Sequence, residues 1–203
     1  GNGTNLLVKD EGIRGVVMKL AQNFNDALVQ GNIMKCKAGM PMSMAAKIAL
    51  ENRLSGLEFA HGIPGTIGGG AVMNAGAYDG EMADIVRNVT VIDRDGNIFE
   101  MHKSQLEYDY RSCNLQKGDK VLLEVVMELK PGNYDDIKRK MDDFLLRRKE
   151  KQPLNLPSAG SAFKRPQGNY AGALIEKAGL KGYRIGDAMV SEKHAGFIVN
   201  VGN

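Results

Sequence analysis

Apolar and polar positions change period several times along the chain, and each change marks an element. Between Ile33 and Ala38, Met34, Cys36 and Ala38 alternate with Lys35 and Lys37, the pattern of a strand with one buried face. Leu6-Leu7-Val8 and Gly15-Val16-Val17-Met18-Lys19-Leu20 read as two further strands. Val89–Ile92 and Ile98–Met101 flank Arg94-Asp95-Gly96-Asn97, and Asp-Gly between two such runs predicts a hairpin. Val121–Leu129 is a long, partly alternating strand. Ser43 is placed to cap a helix running to about Arg53 and ended by Ser55-Gly56, with Ala45, Ala46, Ala49 and Leu50 on a slim apolar side. From Tyr134 to about Lys151 the period becomes helical, with Ile137, Met141, Phe144 and Leu145 on one face. Asp135 and Asp136 open that helix and Arg147, Arg148 and Lys149 close it, as the helix dipole favours. A short helix begins at Asn169 and is closed by Gly179, and Lys193–Asn200 reads as a final strand. The sum is an α+β chain. The Pro131-Gly132 break divides it into an expected domain at 1–130 and a smaller one at 131–203.

One stretch fits neither period. Gly62-Ile63-Pro64-Gly65-Thr66-Ile67-Gly68-Gly69-Gly70-Ala71-Val72-Met73-Asn74-Ala75-Gly76-Ala77-Tyr78 is rich in glycine yet keeps apolar anchors at Ile63, Ile67, Val72 and Met73, which a solvated linker would not need. Glycine lets backbone approach a ligand closely, and successive N–H groups in such turns form anion-binding concavities. A rigid wall against a large, phosphorylated, partly apolar cofactor is the expectation. Gly1-Asn2-Gly3-Thr4-Asn5-Leu6 is a second glycine-rich turn able to offer N–H groups to a phosphate. It leads into a strand-like run rather than a helix, so a dinucleotide fingerprint fails, and a P-loop lysine is absent.

Composition adds exclusions. The 203 residues carry 27 Lys and Arg against 24 Asp and Glu, a net charge of +3, and the cations are not interleaved with aromatics, so no nucleic-acid partner is expected. No apolar run reaches the length of a membrane span. Two cysteines, Cys36 and Cys113, are too few for a disulfide framework and fit a reducing cytoplasm. His61, His102 and His194 are far apart, with no zinc-type spacing, so no metal is expected. Ser161 in Ala159-Gly160-Ser161-Ala162-Phe163 misses the glycine that a nucleophile elbow needs, which argues against a hydrolase. Arg111, in Tyr108-Asp109-Tyr110-Arg111-Ser112-Cys113, could grip a carboxylate or phosphate bidentately or form an ion pair with Asp109; composition alone favours the ion pair. The basic end of the long helix reads first as a solvated helix terminus.

Several segments, in order, resemble one family. They are Gly1–Leu6; Gly62-Ile63-Pro64-Gly65-Thr66-Ile67-Gly68-Gly69 with Asn74-Ala75-Gly76-Ala77-Tyr78; Tyr110-Arg111-Ser112; Pro157-Ser158-Ala159-Gly160-Ser161-Ala162-Phe163-Lys164-Arg165-Pro166; and Lys193–Asn200. Together they are similar to the UDP-N-acetylenolpyruvoylglucosamine reductases. The resemblance implies an FAD-binding domain of the vanillyl-alcohol-oxidase type followed by a substrate domain. It implies reduction, by NADPH through FAD, of the enolpyruvyl ether of UDP-N-acetylglucosamine to UDP-N-acetylmuramate for peptidoglycan, in a cytoplasmic monomer. By position, Ser161 would be the proton donor, and Arg111 would hold the substrate carboxylate. Gly1, Asn2, Gly3, Thr4, Asn5 and Leu6 would wrap the FAD pyrophosphate, together with Gly62, Ile63, Pro64, Gly65, Thr66, Ile67, Gly68, Gly69, Asn74, Gly76, Ala77 and Tyr78. Tyr110, Arg147, Lys151, Lys164 and Arg165 would contact the UDP-sugar. The short Pro131-Gly132-Asn133 connection resembles the type II branch, which lacks an extra substrate loop. A flavin-fold binding module without redox turnover is the competing expectation, and the presence of both Ser161 and Arg111 speaks against it. The abrupt ends at Gly1 and Asn203 lead us to expect a chain incomplete at both, lacking the family's N-terminal segment and its C-terminal catalytic glutamate.

Overall fold

The computed structural model describes residues 1–202, which fall into two compact units divided between Phe144 and Leu145. In the first unit the elements are β1 (Ala27–Gln30), β2 (Ile33–Lys37), α1 (Met42–Glu51), β3 (Leu54–Ser55), α2 (Ile67–Val72), β4 (Gly76–Ala77), β5 (Gly80–Glu81), α3 (Met82–Ile85), β6 (Val86–Asp93), β7 (Ile98–His102), β8 (Lys120–Glu128) and β9 (Lys130–Pro131), followed by most of α4 (Tyr134–Lys151). Five strands form one antiparallel sheet in the order β1-β2-β8-β6-β7. The register aligns Cys36, Val125, Val89 and Met101 in one row across the sheet, all buried. Burial pushes the Cys36 thiol up to about 12, with Glu124 adding to it, so it is a packed, protonated group. On the other face Glu124 accepts from Lys37 at 2.8 Å and pairs with Lys35 at 3.5 Å.

The long helix and the Asp-Gly hairpin lie where the pattern predicts them. The first twenty residues do not. Leu6–Val8 and Gly15–Leu20 form no strand, and Leu7 and Val16 are almost fully exposed. A strand is a paired object, and no described strand pairs with either run. Helix α1 starts at Met42 with Pro41, not Ser43, at its N-cap. Proline presets the backbone there, and Met42 N–H, which has no helical acceptor, donates to Gly65 O at 3.1 Å. The final strand is shorter than its pattern, because 193–196 is a turn that Ser191 Oγ organises by accepting from the N–H groups of Lys193 and His194.

Pro131-Gly132 is not a linker. β9 pairs with β3, Gly132 N–H donates to Arg53 O at 2.8 Å, and a side chain at Gly132 would press on Ile137 and Ser55. Ile137, Met141 and Phe144 then bury one stripe of α4 in the first unit's core. The compact units therefore divide within α4 rather than at the proline.

The second unit runs from Leu145 and holds β10 (Ser158–Ser161), α5 (Ala171–Lys177), β11 (Arg184–Ile185), β12 (Ala188–Val190) and β13 (Phe197–Asn200). Its antiparallel sheet has the order β10-β13-β12-β11 and buries Phe197 and Val199.

Candidate functional site

The glycine-rich stretch folds as a loop followed by α2. Thr66 caps the helix, its Oγ1 accepting from Gly69 N–H at 3.3 Å. A six-residue segment with three consecutive glycines forms a helix here because its surroundings demand it. Gly68 N–H donates to Ala38 O at 2.9 Å, and a Cβ on Gly68 would lie 2.6 Å from Ala38 Cβ. A Cβ on Gly70 would meet Met42 Sδ at 2.9 Å. Gly69 faces the other way: it is exposed, and its Cβ would meet only Thr66 Oγ1, at 3.5 Å. The three glycines thus have different tasks, two in packing and one in leaving an open face.

The expected anion donors are also sorted by the structure. The N–H groups of Ile67, Gly68, Gly69 and Gly70 are used internally, on Met40 O, Ala38 O, Thr66 Oγ1 and Thr66 O. Those of Asn2, Gly3, Thr4 and Asn5 bind no other described group. The first turn is tied to the stretch through Thr4 Oγ1, which donates to Pro64 O at 3.1 Å, and Gly1 lies beside Thr66. Free donors in one turn and an open glycine face next to it make a cradle that fits a bulky phosphorylated cofactor such as FAD.

Arg111 joins this cradle. Its backbone is left-handed, φ 54°. Its Nη1 donates to Asn74 O at 3.0 Å and its Nη2 to Gly76 O, while the guanidinium carbon stands 5.2 Å from the Tyr110 ring. The ion pair with Asp109 is not made. Asp109 Oδ1 instead accepts from Tyr110 N–H at 2.7 Å, and Asp109 and Ser112 exchange backbone hydrogen bonds. No carboxylate among the described residues pairs with Arg111. A guanidinium with no acid partner, anchored by two of its five N–H groups, is equipped to take an external carboxylate. Asn74, also left-handed, is buried, and its side chain accepts from Ala83 N–H and donates to Asp109 O. Tyr78 donates its hydroxyl to Phe144 O at 2.7 Å and stacks on Phe144 with ring centres 4.3 Å apart. At the start of the stretch, burial and then Lys47 hold the His61 imidazole below its ordinary pKa range.

The remaining sequence-assigned residues lie in the second unit, except that their helix, α4, begins in the first. Arg147 and Lys151 are exposed one turn apart on α4. Ser161 ends β10 just past a bulge, where Gly160 takes φ 85°. Its exposed Oγ makes one long contact, 3.5 Å to Phe163 O. Lys164 and Arg165 follow on the same loop, with Arg165 4.0 Å over the Tyr170 ring. Gln116 joins the residues around Arg111 in the structure: its amide donates to Val72 O and to Arg111 O. No local pattern marks it, because the helix end it joins to Arg111 lies 44 residues away. Among the described residues no cluster of His, Cys, Asp and Glu could hold a metal ion, and no helix is long and apolar enough to cross a membrane.

Comparison with known proteins matches two successive parts of the chain to family models. Residues 1–102 match the model of an FAD binding domain, and residues 152–203 match that of the UDP-N-acetylenolpyruvoylglucosamine reductase C-terminal domain. The chain is 54% identical over 203 residues to the UDP-N-acetylenolpyruvoylglucosamine reductase of Caldanaerobacter subterraneus subsp. tengcongensis, covering all of this chain and 67% of that protein. It is 52% identical to the enzyme of that name from Clostridioides difficile, covering 66% of it. The chain therefore spans about two thirds of the length of these relatives. The crystal structure of UDP-N-acetylenolpyruvylglucosamine reductase (MurB) from Thermus caldophilus superimposes with a TM-score of 0.89 at 40% identity, over all of this chain and 74% of that one. The chain belongs to the UDP-N-acetylenolpyruvoylglucosamine reductase family, a family of oxidoreductases, and carries an FAD-binding domain followed by that family's own C-terminal domain.

Proposed function

We propose that the protein reduces the enolpyruvyl ether of UDP-N-acetylglucosamine to UDP-N-acetylmuramate, with NADPH as reductant and FAD as cofactor. The product is a peptidoglycan precursor, and the reaction is that of a cytoplasmic monomer acting on small molecules. The observation that carries this reading is Arg111: a cation without an acid partner among the described residues, braced on the loop that follows the glycine helix.

FAD, when bound, supplies a two-electron relay between NADPH and the enol ether. The chain's residues do the rest. The N–H groups of Asn2 to Asn5 would hold the cofactor's phosphates, and the bare face at Gly69 would admit the cofactor close to the backbone. Tyr78 and Asn74, both left-handed, hold the loop after α2 in shape. Arg111 binds the substrate carboxylate and stabilises the negative charge that develops on it as the adjacent vinyl bond is reduced. Ser161 delivers a proton to the carbon next to that carboxylate. Arg147, Lys151, Lys164 and Arg165 supply positive charge for the diphosphate, and Tyr110 packs beside the Arg111 head.

The test is turnover by the full-length protein. NADPH consumption must depend on the enolpyruvyl compound, and UDP-N-acetylmuramate must accumulate in equal amount. NADPH oxidation that proceeds at the same rate without the enolpyruvyl compound would defeat the assignment.

A further inference from the structure

Asn74, Tyr78 and Arg111 hold left-handed backbone at φ 42°, 57° and 54°, a conformation costly to any residue with a Cβ. Such residues persist only where their surroundings hold them, so the restraints on Arg111 bear on its task. Its head group is held by Asn74 O and Gly76 O. Its backbone lies in the turn that the paired backbone groups of Asp109 and Ser112 close, and its own carbonyl is held there by one side chain. Gln116, on the short 3-10 turn Asn114–Lys117, points Nε2 at Arg111 O, 3.1 Å away, and at Val72 O, also 3.1 Å away, with Met73 Sδ at 3.3 Å. A primary amide has two N–H groups, and both oxygens are carbonyls, so this orientation uses both. Val72 O is among the last carbonyls of α2, which have no acceptor role inside the helix. The same amide thus closes the glycine helix and fixes the residue whose guanidinium returns to the loop just beyond it.

We propose that Gln116 is a positioning residue for Arg111. It keeps the backbone of Arg111 in the left-handed conformation from which the guanidinium both braces the Asn74–Gly76 loop and meets the substrate carboxylate. The inference rests on the reading of Arg111 as the carboxylate-holding residue. Without Gln116 the Arg111 carbonyl loses its side-chain donor, the turn closed by Asp109 and Ser112 samples other geometries, and apparent affinity falls as the binding-competent conformer is depopulated.

The experiment is a double-mutant cycle in the full-length, FAD-loaded protein, comparing the parent, Gln116→Leu, Arg111→Ala and the pair. The readout is the dissociation constant of the enolpyruvyl compound without NADPH, so nothing turns over. In the parent background, Gln116→Leu should weaken binding about tenfold. In the Arg111→Ala background it should change it less than about twofold. Equal weakening in both backgrounds would mean a general structural role and overturn the proposal. If Arg111→Ala weakens binding and Gln116→Leu does not, the proposal fails while the reading of Arg111 stands. If Arg111→Ala itself changes nothing, that reading fails and the proposal with it. Gln116→Glu, which keeps the shape and loses both donors, gives the same decision should the leucine variant not fold. Hydrogen exchange across residues 109–112 of the cofactor-free protein should rise in either Gln116 variant, and an unchanged rate would also overturn the proposal.

Discussion

Ser161→Ala should bind FAD, be bleached by NADPH at nearly the parent rate, and recover its flavin absorbance on addition of the enolpyruvyl compound at least about two orders of magnitude more slowly. A serine hydroxyl is a poor acid in water, so it must work by placement. The structure leaves Ser161 unencumbered for that role: the residue is exposed, its Oγ makes one long contact, 3.5 Å to Phe163 O, and it follows a bulge at Gly160 that departs from the regular β10–β13 ladder. Removing an exposed hydroxyl with no buried partner should shift stability by no more than about 0.5 kcal/mol. Lost activity could then not be ascribed to unfolding. Positioned proton transfer contributes about 10²–10⁴-fold, and the proton is needed only after NADPH has been consumed. Stopped-flow absorbance separates the two steps. Equal slowing of both would make Ser161 a structural residue, and an unchanged second step would remove it from the reaction.

The glycine helix offers the other large effect, as a contrast between neighbours. Gly69→Val should leave the fold intact and abolish FAD retention. Its Cβ meets only Thr66 Oγ1 at an ordinary 3.5 Å, and the rest of the side chain projects from the exposed face, where the cofactor must approach. Gly68→Val should fail differently. Its Cβ would overlap Ala38 Cβ at 2.6 Å and Ala38 O at 2.8 Å, both buried against β2, so stability should fall by about 3 kcal/mol or more. Urea melts and the flavin-to-protein ratio of purified material distinguish the two. A Gly69→Val protein with a full complement of FAD would show that the open face is not the cofactor wall.

The elements legible in the sequence are those whose cause is local. Helix α4 matches its apolar stripe because Ile137, Met141 and Phe144 carry the signal within the helix itself. The β6–β7 hairpin follows from Asp95-Gly96 between two apolar runs. Leu6–Val8 and Gly15–Leu20 have strand-like patterns, but pairing is a property of two segments and cannot be read from one. Helix α2 was hidden for the opposite reason. Its residues argue against a helix, and it forms because Gly68 and Gly70 must pack on Ala38 and Met42.

The same division holds at the site. Glycine content pointed to the candidate cradle, but which glycines face outward depends on the packing of α2. Whether Arg111 is spent on Asp109 could not be decided from their proximity in sequence. A left-handed backbone and carbonyl partners 37 and 35 residues away settle it. Gln116 has no sequence signature, since its acceptors lie 44 and 5 residues away.

The flavin spectrum of the full-length protein decides whether it is a flavin reductase specific for an enolpyruvyl ether. The purified protein, incubated with FAD and freed of excess, should be yellow. NADPH should bleach it without oxygen, and one equivalent of UDP-N-acetylglucosamine enolpyruvate should restore the colour. A colourless protein, or a bleached one that the enolpyruvyl ether leaves bleached, would contradict the account.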